Sequence, residues 1–320
     1  MLSVIIPAYN EEKMIPIAAE RISGVLDDAG IDHELIFVDD GSTDRSWEAI
    51  SALASGENAG APWLAGSERR PVVRGVRFSR NFGKEAAMFA GLEAARGDAV
   101  AMMDCDLQHP AEKLPEMYAL WQEGYEVVEG IKSDRGSESR GHRAFSRLFY
   151  RLISRCSGFD MSDSSDFKLL DRKVVDTLNS LPEKNAFFRA LSFWSGYRRT
   201  SVTYAVARRT VGHSKWNTRS LVKYAVSNIT SFSAAPLHII TWLGALTFLV
   251  SLVMGIIAIV QKISGRAVEG FTTVILLILL IGSLIMLSLG IIGIYISKIY
   301  DEVKGRPRYV VSETCGEEIK

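Results

Sequence analysis

The stretch Ala99-Val100-Ala101-Met102-Met103-Asp104-Cys105-Asp106-Leu107-Gln108 runs from five apolar residues straight into two carboxylates. A short apolar run bounded by polar residues reads as a buried strand, here Ala99–Met103. Two earlier runs end in the same way. Leu2–Pro7 leads into Ala8-Tyr9-Asn10-Glu11-Glu12, and Glu34–Val38 leads into Asp39-Asp40-Gly41-Ser42-Thr43-Asp44. Val72–Phe78 and Glu126–Gly130 complete a series of strands. Between them, Glu11–Ala29 and Gly83–Ala95 carry apolar residues at helical spacing. Thr43 or Asp44 can cap a further helix, and Pro110 opens another at its first turn. Ser55–Pro71, rich in Gly, Ala and Pro, reads as a surface loop. The alternation predicts an α/β fold: a mostly parallel sheet with helices on both faces. Such sheets bind ligands at the carboxyl ends of their strands, which is where the acidic clusters fall.

The last third of the chain is different. Leu237–Val260 and Phe271–Ser297 are uncharged apolar runs, each longer than the roughly 20 residues that span a bilayer. Small residues such as Gly282, Gly290 and Gly293 allow close helix contact. The short polar link Gln261–Gly270 makes the pair an antiparallel hairpin. The alternative, two buried core helices, is disfavoured because a chain of 320 residues has little protein to cover them. Arg208, Arg209, Lys215, Arg219 and Lys223 precede the first run, and Lys298, Lys304, Arg306 and Arg308 follow the second. The connecting loop has only Lys262 and Arg266. This asymmetry predicts that the catalytic domain and both termini face the cytosol across the inner (plasma) membrane. The N-terminus lacks the pattern of a secretory signal, which agrees with that orientation. Three cysteines with no metal-like spacing fit a reducing compartment. A net charge of zero gives no indication of nucleic acid as a partner.

The expected organisation is a catalytic domain over 1–215, an interfacial amphipathic segment over 216–235, two membrane helices within 236–298 and a cytosolic tail over 299–320. Arg143, Arg147, Arg151 and Arg155 recur every four residues beside Phe145, Leu148, Phe149, Leu152 and Ile153. That pattern predicts a basic amphipathic helix lying on an anionic membrane surface.

The chemistry is expected at the strand ends. Carboxylates there can accept hydrogen bonds from a base or ribose, and Gly41 would let backbone approach a ligand closely. Asp104 and Asp106, one residue apart, can share a hard divalent cation, Mg²⁺ or Mn²⁺, with a diphosphate; Gln108 could add an oxygen. An isolated Asp-x-Asp is common by chance, and its place after an apolar strand with two acidic neighbours is what strengthens it. Ser79-Arg80-Asn81-Phe82-Gly83-Lys84 puts basic groups at a helix N-terminus, which favours an anion such as a diphosphate. Asp166, in Ser164-Ser165-Asp166-Phe167-Lys168-Leu169, reads on its own as a turn or cap residue. Arg208 to Trp216 could grip phosphate or anchor at the interface.

As an ensemble these motifs resemble glycosyltransferase family 2 and, within it, the polyprenyl-phosphate glycosyltransferases. The likeness covers VIIPAYNEE, VDDGSTD, SRNFGKEAA, DCDLQHP, SDFKLLDRKVVD, GHSKW and the segment GIIGIYISKIYDEVKGRPRY. It implies a GT-A (Rossmann-like) nucleotide-sugar fold, a C-terminal two-helix transmembrane hairpin and an inverting displacement. It implies that Pro7, Tyr9, Asn10, Glu11, Asp39 and Asp40 meet the nucleotide sugar, with Arg80, Lys84 and Asp104 at the diphosphate. Asp104, Asp106 and Gln108 would hold the metal. Asp166 matches the position assigned as catalytic base, with Asp106 as the other catalytic candidate; because a phosphate acceptor needs little deprotonation, Asp166 is equally open to orienting the acceptor or the sugar. Arg209, Lys215 and Arg143 would lie near the acceptor phosphate. His109 stands where many relatives have an acidic residue or proline, which could alter metal or sugar contacts.

The expected partners are a nucleotide sugar donor, a polyprenyl phosphate acceptor and the membrane; a homo-oligomer is left open. UDP-glucose is the expected donor, with GDP-mannose or a UDP-aminosugar as alternatives. A lipid-transport or scaffold protein with a regulatory sugar-nucleotide domain is the rival of another class. It is disfavoured because neither apolar run carries a charge of the kind that marks a transport path.

Overall fold

The structure is a computed structural model that describes residues 1–56, 72–133, 165–183, 187–205, 235–264 and 270–316. Arg143 and the Arg-rich helix, Arg209, Lys215 and residues 216–234 of the interfacial segment lie outside the described residues. The chain divides into two units: one built on a sheet, which includes Pro307 onward, and a helical one that ends at Arg306.

The sheet unit contains strands β1 (Leu2–Ala8), β2 (His33–Asp39), β3 (Val72–Phe78), β4 (Ala99–Met102), β5 (Val127–Lys132), β6 (Lys168–Asp171), β7 (Arg199–Tyr204) and β8 (Val311–Cys315). Its helices are α1 (Met14–Asp28), α2 (Ser46–Ser55), α3 (Lys84–Ala94), α4 (Leu114–Gln122), α5 (Arg172–Ser180) and α6 (Phe188–Trp194). The strands form one sheet in the order β7-β5-β6-β4-β1-β2-β3-β8. β1 pairs in parallel with β2 and β4, β2 with β3, and β5 with β7. β6 runs against both β4 and β5, and β8 runs against β3. The sheet is therefore mostly parallel, with two reversed strands that the reading of the sequence did not find. Each is only four or five residues long, too short for periodicity to reveal.

β1 and β2 are apolar on both faces because both faces are covered. Leu2, Val4, Ile6 and Ala8 join a core with Met14, Ala18 and Ile22 of α1 and Leu114 and Met117 of α4. Ile5, one residue out of phase, meets Gly91 of α3 on the other face, where a Cβ would run into its side chain. Pro7 is tolerated in a central strand because the β1–β4 ladder ends at Ile5 and Met102, two residues earlier. The two strands part there, and Asp104 begins in the opening.

The helical unit holds α7 (Ala235–Ile263) and α8 (Phe271–Val303), 29 and 33 residues long. At 1.5 Å per residue each exceeds the roughly 30 Å hydrocarbon core. Pro236–Gln261 and Leu277–Val303 are candidate membrane spans, with none of either apolar window buried inside the protein. That exposure argues against the core-helix alternative. Four hydroxyls within the spans are satisfied by their own helix, those of Thr241, Thr247, Ser283 and Ser288; Thr241 donates to Leu237 O at 3.1 Å and Ser283 to Leu279 O at 2.7 Å. This is what a low-dielectric setting demands of them.

Two glycines make a paired test of this packing. Gly91→Ala should cost about 1–3 kcal/mol by forcing Ile5 aside. Gly24→Ala, with nothing within 4 Å of the added methyl, should stabilise α1 by about 0.5–1 kcal/mol. Thermal unfolding of the detergent-solubilised full chain reads both. Equal shifts in the two variants would contradict the assigned packing.

Candidate active site

The antiparallel course of β6 builds the centre of the site. Met102 at the end of β4 pairs with Lys168 at the start of β6. Two residues further in opposite senses, Asp104 and Asp166 therefore come to the same place. Lys84, the first residue of α3, bridges them: its Nζ lies 2.6 Å from Asp104 Oδ1 and 2.9 Å from Asp166 Oδ2. Arg189, from α6, grips Asp166 with two bonds, Nε to Oδ1 at 2.6 Å and Nη2 to Oδ2 at 2.8 Å. Burial alone would raise the Asp166 carboxyl, but Arg189 and Lys84 outweigh it and hold the group well below the usual carboxylate range. Asp104 is likewise held low against its burial, chiefly by Lys84. Lys84, which burial would lower, is raised by the two carboxylates. All three groups are charged at neutral pH.

Arg189 was not singled out in the sequence. Its signal is faint: one cation in the apolar run Ala186-Phe187-Phe188-Arg189-Ala190-Leu191. Behind the site, Lys168 is fully buried, paired with Glu129 at 3.1 Å and bonded to Ser192 Oγ at 2.6 Å. Glu129 in turn accepts from Ser165 N at 2.9 Å, which fixes the backbone next to Asp166.

The Asp-x-Asp turn is bent by Leu107, at φ 54°. A left-handed leucine is uncommon and points to a backbone over-determined by its surroundings. Gln108 N donates to Asp106 Oδ1 at 3.1 Å, so Gln108 braces the carboxylate through its backbone. His109 is buried, stacked on Phe167 with centroids 5.0 Å apart, and its Nδ1 is 3.4 Å from Asp104 N. Burial lowers its pKa, so the ring is neutral and packs behind the turn. Among the described residues no group of three or more His, Cys, Asp or Glu is arranged to hold a metal. Two carboxylates one residue apart nonetheless suit, by their chemistry, a hard divalent ion of the Mg²⁺ type, which takes one or two carboxylates and completes its shell with phosphate oxygens and water.

The ends of β1 and β2 form a second cluster. Asp39 is fully buried; its Oδ1 accepts from Ser42 N at 2.9 Å, and its Oδ2 has no hydrogen-bond partner. A buried carboxylate oxygen left without a hydrogen bond calls for a donor from elsewhere. Tyr9 is exposed at the rim. Asn10, at φ 57°, ties the two loops together: its N donates to Ser42 Oγ at 2.9 Å and its Oδ1 accepts from Thr43 N at 2.8 Å. Glu11 N donates to Ser46 Oγ at 2.8 Å, and Glu11 O accepts from Met14 and Ile15, so α1 begins three residues later than expected. Asp40 receives Phe82 N at 2.7 Å and Gly83 N at 3.0 Å, which anchors the loop that carries Arg80 and Lys84. Gly41, expected to let backbone approach a ligand closely, also makes room for the backbone of Arg80, whose Cα would lie 2.8 Å from an added Cβ. Arg80 itself is exposed, its guanidinium 4.2 Å over the Phe82 ring.

Glu85 offers a test of the electrostatics. Burial, with Asp166 near it, pushes its carboxyl up to about 7, while its Oε2 accepts from Phe188 N at 2.9 Å. The folded chain thus keeps a proton that the unfolded chain, with a carboxyl near 4.5, has released. That stabilisation is complete below the unfolded value and lost as pH rises through the folded one. Glu85→Gln should flatten the decline of melting temperature between about pH 4.5 and 7 relative to the parent chain. Identical slopes would contradict the assignment.

Comparison with known proteins follows the same lines. The chain is 37% identical over 320 residues to the glycosyltransferase YkcC of Bacillus subtilis (strain 168), covering 99% of this chain and 95% of that protein. It is 35% identical over 315 residues to the SfII prophage-derived bactoprenol glucosyl transferase of Shigella flexneri, covering 98% of each. In fold it is similar to glucosyl-3-phosphoglycerate synthase of Mycobacterium tuberculosis, solved with Mn²⁺, UDP and phosphoglyceric acid. The TM-score is 0.50 at 21% identity, covering 72% of this chain and 76% of that one. Residues 3–178, from β1 through most of α5, match glycosyl transferase family 2, and the chain belongs to that family.

Proposed function

We propose that the protein transfers glucose from UDP-glucose to a polyprenyl phosphate at the cytosolic face of the membrane, with inversion at the anomeric carbon. The observation that carries this reading is likeness over 98% of both chains to a bactoprenol glucosyl transferase, apolar hairpin included. The connectivity supports the orientation. The chain leaves the sheet unit before α7 and re-enters it as β8 after α8, so a spanning hairpin returns to the side it left.

In this reading the Asp39 oxygen that lacks a hydrogen bond accepts one from the nucleoside, with Pro7, Tyr9 and Glu11 around it. Arg80 and Lys84 meet the diphosphate at the start of α3, whose N-terminus favours an anion. Asp104 and Asp106, with Gln108, would hold Mg²⁺ or Mn²⁺. When bound, the ion offsets the charge that develops on the departing diphosphate.

The acceptor phosphate monoester has its second pKa near 6 and is mostly dianionic at pH 7. It needs little deprotonation. Asp166, clamped by Arg189 and Lys84, is held in its charged form as a weak base. We assign it to orienting the sugar and the incoming phosphate, with Arg189 and Lys84 fixing its position. Arg209, Lys215 and Arg143 are assigned to the acceptor phosphate on the sequence alone. The main tasks are to bring two anions together and to stabilise the leaving group.

The full chain should be incubated with labelled UDP-glucose, GDP-mannose or UDP-N-acetylglucosamine, undecaprenyl phosphate and Mg²⁺ or Mn²⁺, then lipid-extracted. Label should enter lipid from UDP-glucose, stop with chelator and return with added metal. Transfer at an undiminished rate in chelator would overturn the metal assignment, and label from GDP-mannose alone would overturn the donor. Asp166→Asn, which loses orientation and charge, should lower kcat by about 10²-fold. A near-normal rate would remove Asp166 from the site.

A further inference from the structure

Asp39, Arg77 and Glu313 stand in one row across three neighbouring strands. Asp39 of β2 pairs in register with Arg77 of β3, and Arg77 with Glu313 of β8. Their side chains link in the same order. Arg77 Nε is 3.6 Å from Asp39 Oδ2, beyond good hydrogen-bond reach, while Arg77 Nη1 donates to Glu313 Oε1 at 2.9 Å. The other Glu313 oxygen accepts from Trp47 Nε1 at 2.9 Å, and Trp47 lies under the Arg77 guanidinium at 5.8 Å. Glu313 thus holds Arg77 from the side away from Asp39.

The segment that delivers Glu313 is firmly attached to the sheet unit. Tyr309 stacks on Phe78 with centroids 4.7 Å apart, Ser79 N donates to Val310 O at 3.0 Å, and Arg308 Nε donates to Glu183 O at 2.9 Å. The Arg77–Glu313 pair itself is partly exposed, with 29% and 52% of the side-chain surfaces accessible. Pairs of that kind add little to stability, so the row calls for a different explanation.

We infer that Glu313, on the strand that follows the second apolar helix, is a positioning residue for donor binding. It draws Arg77 away from Asp39, so that Arg77 compensates the buried charge without occupying Oδ2. That oxygen stays available to the nucleoside. The inference rests on the reading that Asp39 receives the donor nucleoside. Without the Glu313 charge, Arg77 closes the remaining distance to Asp39 and competes for the acceptor.

The test is UDP binding to the full-length protein by calorimetry, with steady-state kinetics alongside, for the parent chain, Glu313→Gln and Glu313→Ala. The glutamine variant keeps the shape and an acceptor for Trp47, so it guards against misfolding of the alanine one. Losing the hold on Arg77 should weaken UDP binding and raise the UDP-glucose KM by about tenfold, the equivalent of one charge-assisted hydrogen bond. Both kcat and the KM for lipid phosphate should stay within about twofold, since the pairs at Asp166 are untouched. Unchanged UDP affinity in both folded variants would overturn the inference while leaving the proposed function standing. A parallel loss of kcat, acceptor KM and melting temperature would overturn it too, by showing a merely structural role. A parent chain that binds no nucleotide would overturn the donor reading and this inference with it.

Discussion

Asp104 and Asp166 approach each other from opposite strand ends, and two carboxylates so placed, one half-buried and one buried, repel. The ammonium of Lys84, 2.6 and 2.9 Å from them, is what lets both stay ionised. This constraint links four elements: the turn after β4, the turn before β6, the first residue of α3 and, through Arg189, α6. It also sets the chemistry. A carboxylate gripped on both oxygens by cations orients well and abstracts protons badly. The site is therefore suited to a nucleophile that arrives already deprotonated, which a phosphate monoester does and a sugar hydroxyl does not.

Much of this was legible in the sequence because it depends on local patterns. The apolar runs of β1 to β4, with acidic ends on β1, β2 and β4 and a basic one on β3, announce a sheet with its ligands at one edge. The two uncharged stretches announce the hairpin, since helix length and hydropathy need no tertiary context. What could not be read depends on contacts between distant segments. The direction of β6 decides that Asp166 faces Asp104, yet nothing in Lys168–Asp171 says which way it runs. Arg189 is an ordinary cation until α6 is packed against β6.

Other residues carry structural duties in addition to those read for them. Asp40 anchors the Arg80–Lys84 loop, Asn10 joins the first two strand ends, and Gly41 is required by the backbone of Arg80. A motif of acids at a strand end is thus part ligand site and part scaffold, and the two are separated only by seeing which oxygens are already engaged. On that criterion Asp39, with one oxygen lacking a hydrogen bond, stands out from Asp40. The same reasoning explains the tail. Val311–Cys315 has no apolar alternation to mark it as a strand, and its place at the sheet edge comes from Tyr309, Arg308 and Glu313, whose partners lie far away in sequence.

The central claim is that Asp166 is permanently ionised and orients rather than accepts a proton. The most direct measurement is the pH dependence of kcat between about pH 5 and 9, with both substrates saturating, for the parent chain and for the residual activity of Asp166→Asn. The account predicts an acid limb near the second phosphate pKa, about 6, shared by both proteins. An acid limb present in the parent chain and missing from the asparagine variant would show that Asp166 titrates during turnover, and would contradict it.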